Sequence, residues 1–105
     1  MGVIESTDTD FSKKLAENPR VIVKYHAGWC GQCRLFAPKY KRMSADDQYK
    51  DVTFLDVNAE KNPAARKMAG VDNLPFFATF RNGKLVEGAA TSKEDKVLEM
   101  LQNLN

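Results

Sequence analysis

Residues 20–33, RVIVKYHAGWCGQC, join a strand-like segment to two cysteines that lie three positions apart. The β-branched and aromatic run from Arg20 to Ala27 predicts a strand that is buried on much of its surface. Gly28-Trp29-Cys30-Gly31 breaks this strand, and a helical pattern of apolar residues then runs from about Gln32 to Tyr49. The two cysteines are therefore expected where a core strand ends and a helix begins.

The position of Cys30 and Cys33 on the first turn of this helix favours thiol–disulfide exchange. A spacing of three puts both sulfurs on one side of a helical turn. Cys30 comes first, so it meets unpaired backbone N–H groups and the positive end of the helix dipole, which stabilise a thiolate. Cys33 is shielded one turn in, and it can attack the mixed disulfide formed at Cys30 and release the reduced partner. Gly31 lets a substrate backbone approach closely.

The rest of the chain predicts alternating strands and helices in the order β-α-β-α-β-α-β-β-α. This order implies an α/β fold with a mixed central sheet of about five strands, flanked by about four helices. The chain has 105 residues, so we expect residues 1–105 to form a single domain. The signals are Phe11–Ala16 (helix), Val52–Val57 (strand), Asn62–Met68 (helix), Phe76–Arg81 and Lys84–Glu87 around Asn82-Gly83 (hairpin), and a capping box at Thr91–Glu94 before a last helix.

Composition and cysteine content exclude several classes of function. The net charge of +2 gives no electrostatic case for a nucleic-acid or anionic-membrane partner. No stretch approaches the roughly 20 apolar residues of a membrane span, and the start lacks a signal-peptide pattern. We therefore expect a cytoplasmic monomer. A bridge between the only two cysteines closes a very small loop and adds little stability, so the pair is better explained by chemistry.

The segment Ala27–Cys33 resembles the active site of thioredoxins, which usually reads Trp-Cys-Gly-Pro-Cys. The resemblance implies the thioredoxin fold and a protein-disulfide reductase with a redox-active Cys30–Cys33 disulfide, no other cofactor and no metal. It also implies disulfide-containing protein substrates and an upstream reductase of the thioredoxin reductase type, in electron transport and cell redox homeostasis. Further matches are Pro38, Val57-Asn58 through Asn62-Pro63, Leu74-Pro75 and Phe80–Lys84.

The same resemblance implies a substrate-binding surface around the cysteines. The Leu74–Pro75 bond is expected to be cis and to lie beside the sulfurs, which leaves the backbone groups of Leu74 free to pair with an extended substrate chain. Trp29 and Gly31 belong to this surface. Gly88 is expected there too, because Gly88-Ala89-Ala90 loosely matches the glycine-containing substrate loop of the family.

Three residues that tune the site depart from the family pattern. Gln32 replaces the usual proline, and residues there tune the redox potential, so the direction of use stays open. Lys24 stands where thioredoxins place a buried aspartate, and Asp56 stands where they place its lysine. In one interpretation Lys24 extends into solvent without a role. In the other the pair remains with exchanged charges, Lys24 favouring the thiolate and Asp56 accepting the proton of Cys33, which predicts a separation within about 4 Å.

Other interpretations of these residues stay open. His26 is the only histidine; a proton shuttle fits its chemistry, although strand residues near a site are more often structural. Two chains sharing a metal through their CxxC pairs form one alternative, although a second CxxC or paired histidines is missing. A non-catalytic interaction module is another alternative, although such a module would not need both sulfurs. The missing signal pattern favours a reductant over an oxidase or isomerase.

Overall fold

Five strands form one mixed sheet in this protein, whose residues 2–104 are described by a computed structural model. The bounds are β1 Val3–Glu5, β2 Arg20–His26, β3 Thr53–Asn58, β4 Phe76–Arg81 and β5 Lys84–Ala90. The sheet order is β1-β3-β2-β4-β5. Strands β1 and β2 run parallel to β3, whereas β4 is antiparallel to both β2 and β5. The central position of β2 explains its nearly continuous apolar sequence, since such a strand is covered on both faces.

Four helices cover the two faces of the sheet, which confirms the predicted mixed α/β architecture. The bounds are α1 Phe11–Glu17, α2 Gly31–Ala45, α3 Pro63–Ala69 and α4 Glu94–Leu104. Helices α1 and α3 pack on one face, where Phe11 and Ala65 share an apolar core with Val23. Helices α2 and α4 pack on the other, where Leu101 and Phe77 belong to a second core. No helix within residues 2–104 is long and apolar enough to cross a lipid bilayer.

Two helix boundaries differ from the sequence prediction by more than one residue. Helix α2 ends at Ala45 rather than Tyr49, because Asp46 is extended and its carboxylate accepts a hydrogen bond from a backbone N–H two residues on, at 2.9 Å. The capping box at Thr91 does not form. Helix α4 begins at Glu94, and the Thr91 hydroxyl accepts from the N–H two residues on, at 3.1 Å. Short polar side chains compete locally for backbone groups, which a pattern of apolar residues does not reveal.

The carboxyl ends of β2 and β3 present polar side chains beneath the start of α2. The parallel register puts Lys24 beside Asp56. Side chains alternate along a strand, and Ile22 and Phe54, two residues earlier in each strand, belong to the core under α2 and α4. Lys24, Asp56 and also His26 therefore lie on the face that α2 covers.

Candidate active site

Cys30 and Cys33 form a disulfide at the start of α2, with their Cα atoms 5.3 Å apart. Cys30 is the N-cap residue of the helix, and its sulfur accepts a hydrogen bond from the Cys33 backbone N–H at 3.2 Å. An N–H group of the first turn thus points at the Cys30 sulfur. This arrangement, together with the helix dipole, stabilises a thiolate on Cys30 when the bond is reduced.

The two cysteines are buried to nearly the same extent in the disulfide form. Cys30 is 4% exposed and Cys33 is 2% exposed. The predicted shielding of Cys33 is therefore shared by Cys30 in the oxidised protein, where each bonded sulfur covers part of the other. Their surroundings do differ, since Cys33 lines an open pocket beneath α2, together with polar side chains of β2 and β3. The two sulfurs are distinguished by what lies around them rather than by their accessible area.

Two side chains hold the turn that precedes the disulfide. The Arg34 guanidinium donates from Nη1 to the Gly28 carbonyl at 2.7 Å. The Trp29 indole donates from Nε1 to the Glu60 carboxylate at 2.7 Å, while the side chain remains 66% exposed. An indole fixed by its polar edge presents apolar surface to a partner beside the disulfide. Sequence analysis identified Trp29 but missed Glu60, because a contact 31 residues away leaves no local pattern.

A surface groove of about 220 Å³ joins the disulfide segment to the loop before β4. The Leu74–Pro75 peptide bond in this loop is cis. The Leu74 N–H, expected to be free, donates instead to the Asn73 side-chain oxygen at 2.9 Å, a correction to the predicted open backbone. This bond is exposed, so a substrate carbonyl can replace it. The structure thus brings Gln32, Leu74 and Pro75 together; the groove is lined by Gln32, residues 73–75 and residues 90–92.

The two glycines of the predicted substrate surface have different surroundings. Strand β5 continues three residues beyond its predicted end at Glu87, so Gly88 lies within the strand rather than in a loop. A Cβ at Gly88 would lie 3.0 Å from the ring of Phe76, so this glycine makes room for a buried side chain and lies outside the groove. Gly31 is exposed, and the nearest atom that a Cβ there would meet, on Arg34, is 4.0 Å away.

Lys24, Asp56 and His26 form a charged cluster below the disulfide. The Lys24 ammonium lies 3.8 Å from Asp56 Oδ1, and His26 Nδ1 lies 2.8 Å from the same oxygen. The Lys24 side chain is 5% exposed, whereas those of Asp56 and His26 are 27% and 26% exposed. The interpretation in which Lys24 extends into solvent is therefore wrong. The two exchanged charges lie within the predicted separation.

Burial dominates the electrostatics of Lys24. Removal from water lowers the pKa of its ammonium, and the neighbouring Asp56 carboxylate opposes part of that shift. The ammonium also lies 5.7 Å from the centre of the Tyr40 ring. Burial raises the pKa of the Tyr40 hydroxyl well above its usual value, and this hydroxyl donates to the Leu55 carbonyl at 2.8 Å. A neutral phenol therefore offers its ring face to the buried cation.

A cavity of about 180 Å³ connects this cluster to Cys33. Its volume is enough for several water molecules, and the side chains of Lys24, His26 and Asp56 supply polar atoms that can bind them. The arrangement can therefore pass protons through water between the Cys33 sulfur and the charged groups of the sheet. The cavity is lined by Lys24, His26, Ala27 and Asp56 at the ends of the strands, and by Cys33, Arg34 and Ala37 from α2.

Known proteins with similar sequences and folds agree on one family. The sequence model of thioredoxins matches residues 2–103. The chain belongs to the thioredoxin family. It is 35% identical to the thioredoxin-like protein slr1139 of Synechocystis sp., over 97% of this chain and 94% of the relative. It is 32% identical to thioredoxin-1 of Schizosaccharomyces pombe, over 78% of each. Among solved structures, thioredoxin F from spinach chloroplast (short form) has a TM-score of 0.89 at 27% identity, covering 98% of this chain and 93% of that one.

Family membership and the bonded cysteines together establish the activity. Thioredoxins act through a redox-active disulfide, and this member carries one between Cys30 and Cys33 at the start of α2. The protein is a thiol–disulfide oxidoreductase that reduces protein disulfides. The interaction-module and metal-sharing alternatives are not favoured. Within residues 2–104, no three or more histidine, cysteine, aspartate or glutamate side chains are grouped to hold a metal ion.

Proposed function

We propose that Cys30 attacks the substrate disulfide and that Cys33 resolves the resulting mixed disulfide. The observation that carries this division is the place of each sulfur, Cys30 at the helix cap and Cys33 on the pocket beneath α2. The Cys30 thiolate bonds to one substrate sulfur, and the other leaves as a thiolate that takes up a proton. Cys33 then loses its proton and attacks the Cys30 sulfur, which restores the disulfide and releases the second substrate thiol.

In this proposal the groove beside Gln32 holds the substrate in an extended conformation. Strand β4 begins at Phe76, so the Leu74 backbone lies outside the pairing of the sheet. Its N–H exchanges the exposed Asn73 side chain for a substrate carbonyl, which pairs the two backbones as in strand addition. The exposed Trp29 indole adds apolar contact beside the disulfide. The disulfide is the only redox group that the reaction requires.

The electrons for this cycle are proposed to come from an upstream thioredoxin reductase. The test combines the oxidised protein with NADPH, thioredoxin reductase and insulin, and follows NADPH consumption and precipitation of the reduced insulin chain. We expect both signals to depend on the protein and to vanish in Cys30→Ser. A second arm reduces the protein chemically first. Insulin reduction in that arm alone contradicts the proposed electron donor, and failure in both arms contradicts the function.

We further propose that the protein works as a monomer in the cytoplasm. A single exchangeable cysteine pair suits a reducing compartment, where a reductant of protein disulfides is kept in its active form. Cell fractionation with an antibody to this chain is expected to recover it in the cytoplasmic fraction, at the size of one chain on gel filtration. Recovery from an organelle, or at the size of a dimer, contradicts this proposal.

Lys24 is expected to increase the thiolate fraction of the reduced site, because a cation below the sulfurs favours their ionised form. Lys24→Met retains an unbranched side chain but removes the charge. Alkylation of the reduced protein by iodoacetamide near pH 6 should slow roughly three- to tenfold. The matched control is Lys41→Met on the exposed side of α2, which should alkylate like the unmodified protein. Equal rates for all three proteins would show that Lys24 has no such influence.

A further inference from the structure

The Asp56 carboxylate already has two partners, which limits its use as a base for Cys33. Its Oδ1 atom lies 2.8 Å from His26 Nδ1 and 3.8 Å from the Lys24 ammonium. The oxygen that faces these groups is thus already engaged by the imidazole and the ammonium. The same bond gives His26 its orientation, since Nδ1 donates to the carboxylate and Nε2 is left as the acceptor nitrogen.

We propose that His26 is the proton carrier for Cys33 and that Asp56 is the positioning residue that fixes the imidazole. His26 and Cys33 line the same cavity of about 180 Å³, in which water can connect Nε2 to the sulfur. The order carboxylate, imidazole, nucleophile is the one by which hydrolases activate a serine. This assignment rests on the exchange reaction proposed above and adds a proton route to it. In that route His26, rather than Asp56, accepts the proton of Cys33.

The proton and electron balance of the resolving step follows from this arrangement. The Cys33 thiol passes its proton through cavity water to His26 Nε2, and its sulfur attacks the Cys30 sulfur. The bond between Cys30 and the substrate breaks, and the electron pair leaves with the substrate sulfur, which takes up a proton. In the opposite direction, a reducing dithiol attacks Cys30, and Cys33 leaves as a thiolate that is protonated by the imidazolium.

Three charged side chains surround the imidazole of His26. Lys24 from β2, Arg34 from α2 and Asp56 from β3 line the same pocket as the ring. Asp56 is in direct hydrogen-bonding contact with the ring at 2.8 Å. The imidazole is also 26% exposed, so it can exchange its proton with bulk water between cycles.

The test measures reduction of the oxidised protein by dithiothreitol, followed in a stopped-flow instrument by the fluorescence of Trp29, the only tryptophan. His26→Asn keeps a side-chain N–H for Asp56 but cannot carry a proton. We expect the unmodified protein to react about tenfold faster than the variant near pH 6, and at a nearly equal rate near pH 9, because only the protonated imidazole supplies a proton. Ionisation of dithiothreitol affects both proteins equally, so it cancels in the ratio.

Arg34→Lys is the matched control, since it changes the same cavity but keeps a cation. The ratio of the unmodified reduction rate to the Arg34→Lys rate should not depend on pH. A ratio independent of pH in His26→Asn would overturn the proposal, as would equal rates at every pH. Imidazole NMR of the unmodified protein gives a readout without a variant, and titration curves identical in the reduced and oxidised protein would also overturn it. The dithiothreitol assay uses no protein substrate, so it is independent of the insulin assay. If the ratio of the unmodified rate to the His26→Asn rate depends on pH but the protein fails to reduce insulin, only the proposed function is contradicted.

Discussion

Cys30→Ser is expected to abolish disulfide reduction, and Cys33→Ser is expected to trap a mixed disulfide with the substrate. Without Cys30 no thiolate forms at the helix cap, whereas without Cys33 the first attack proceeds and nothing resolves its product. Turnover should fall on the order of a thousandfold or more in each variant, because the two sulfurs act as a unit. The two losses thus have the same size but stop the reaction at different steps.

The trapped species distinguishes the two steps. Each reduced variant is mixed with an oxidised protein substrate and analysed by non-reducing gel electrophoresis and mass spectrometry. A covalent adduct through Cys30 is expected only in Cys33→Ser, and the variant lacking both cysteines serves as the control. In the reduced unmodified protein, Cys30 should also alkylate well before Cys33. An adduct that accumulates in Cys30→Ser instead, with faster labelling of Cys33, would reverse the assigned roles.

Asp56→Asn should lower the free energy of unfolding by about 3 kcal/mol at neutral pH, because it leaves the Lys24 ammonium buried without its anion. Burial lowers the pKa of Lys24 and Asp56 opposes that shift, so loss of the carboxylate lowers the pKa further. Below the lowered pKa the full cost of burying the charge is present. As the pH rises toward the ordinary lysine pKa of about 10.4, the unfolded chain binds more protons than the folded one, and the cost disappears. The loss should therefore shrink in alkaline solution.

Urea unfolding at neutral and alkaline pH checks this prediction. Asp51→Asn is the matched control, since this carboxylate is exposed, and its effect should be within about 0.5 kcal/mol. Lys24→Met combined with Asp56→Asn should recover much of the stability, because the variant then contains neither an unpaired cation nor its former partner. A loss in Asp56→Asn that matches Asp51→Asn, or that does not change with pH, would show that the pair does not stabilise the fold.

Most of the fold could be predicted because its signals are local. The run Arg20–Ala27 marks the central strand within one residue of its observed end, and Asn82-Gly83 marks the hairpin of β4 and β5, with both residues at positive φ. Gly70 ends α3 in the left-handed conformation, which a residue without a side chain adopts readily. Errors occurred where polar side chains compete for nearby backbone groups, at Asp46 and Thr91.

The sequence by itself determined the reacting pair, since two cysteines three apart at a strand–helix junction need only one helical turn to meet. Only the tertiary structure decided what surrounds them. The direction of Lys24 depends on the register between β2 and β3 and on the packing of α2 over both strands. The bond from His26 to Asp56 spans 30 residues, and the groove joins Gln32 to residues 73–75 and 90–92. Such contacts form only when segments that are distant in the sequence pack together, so a local pattern of residues cannot predict them.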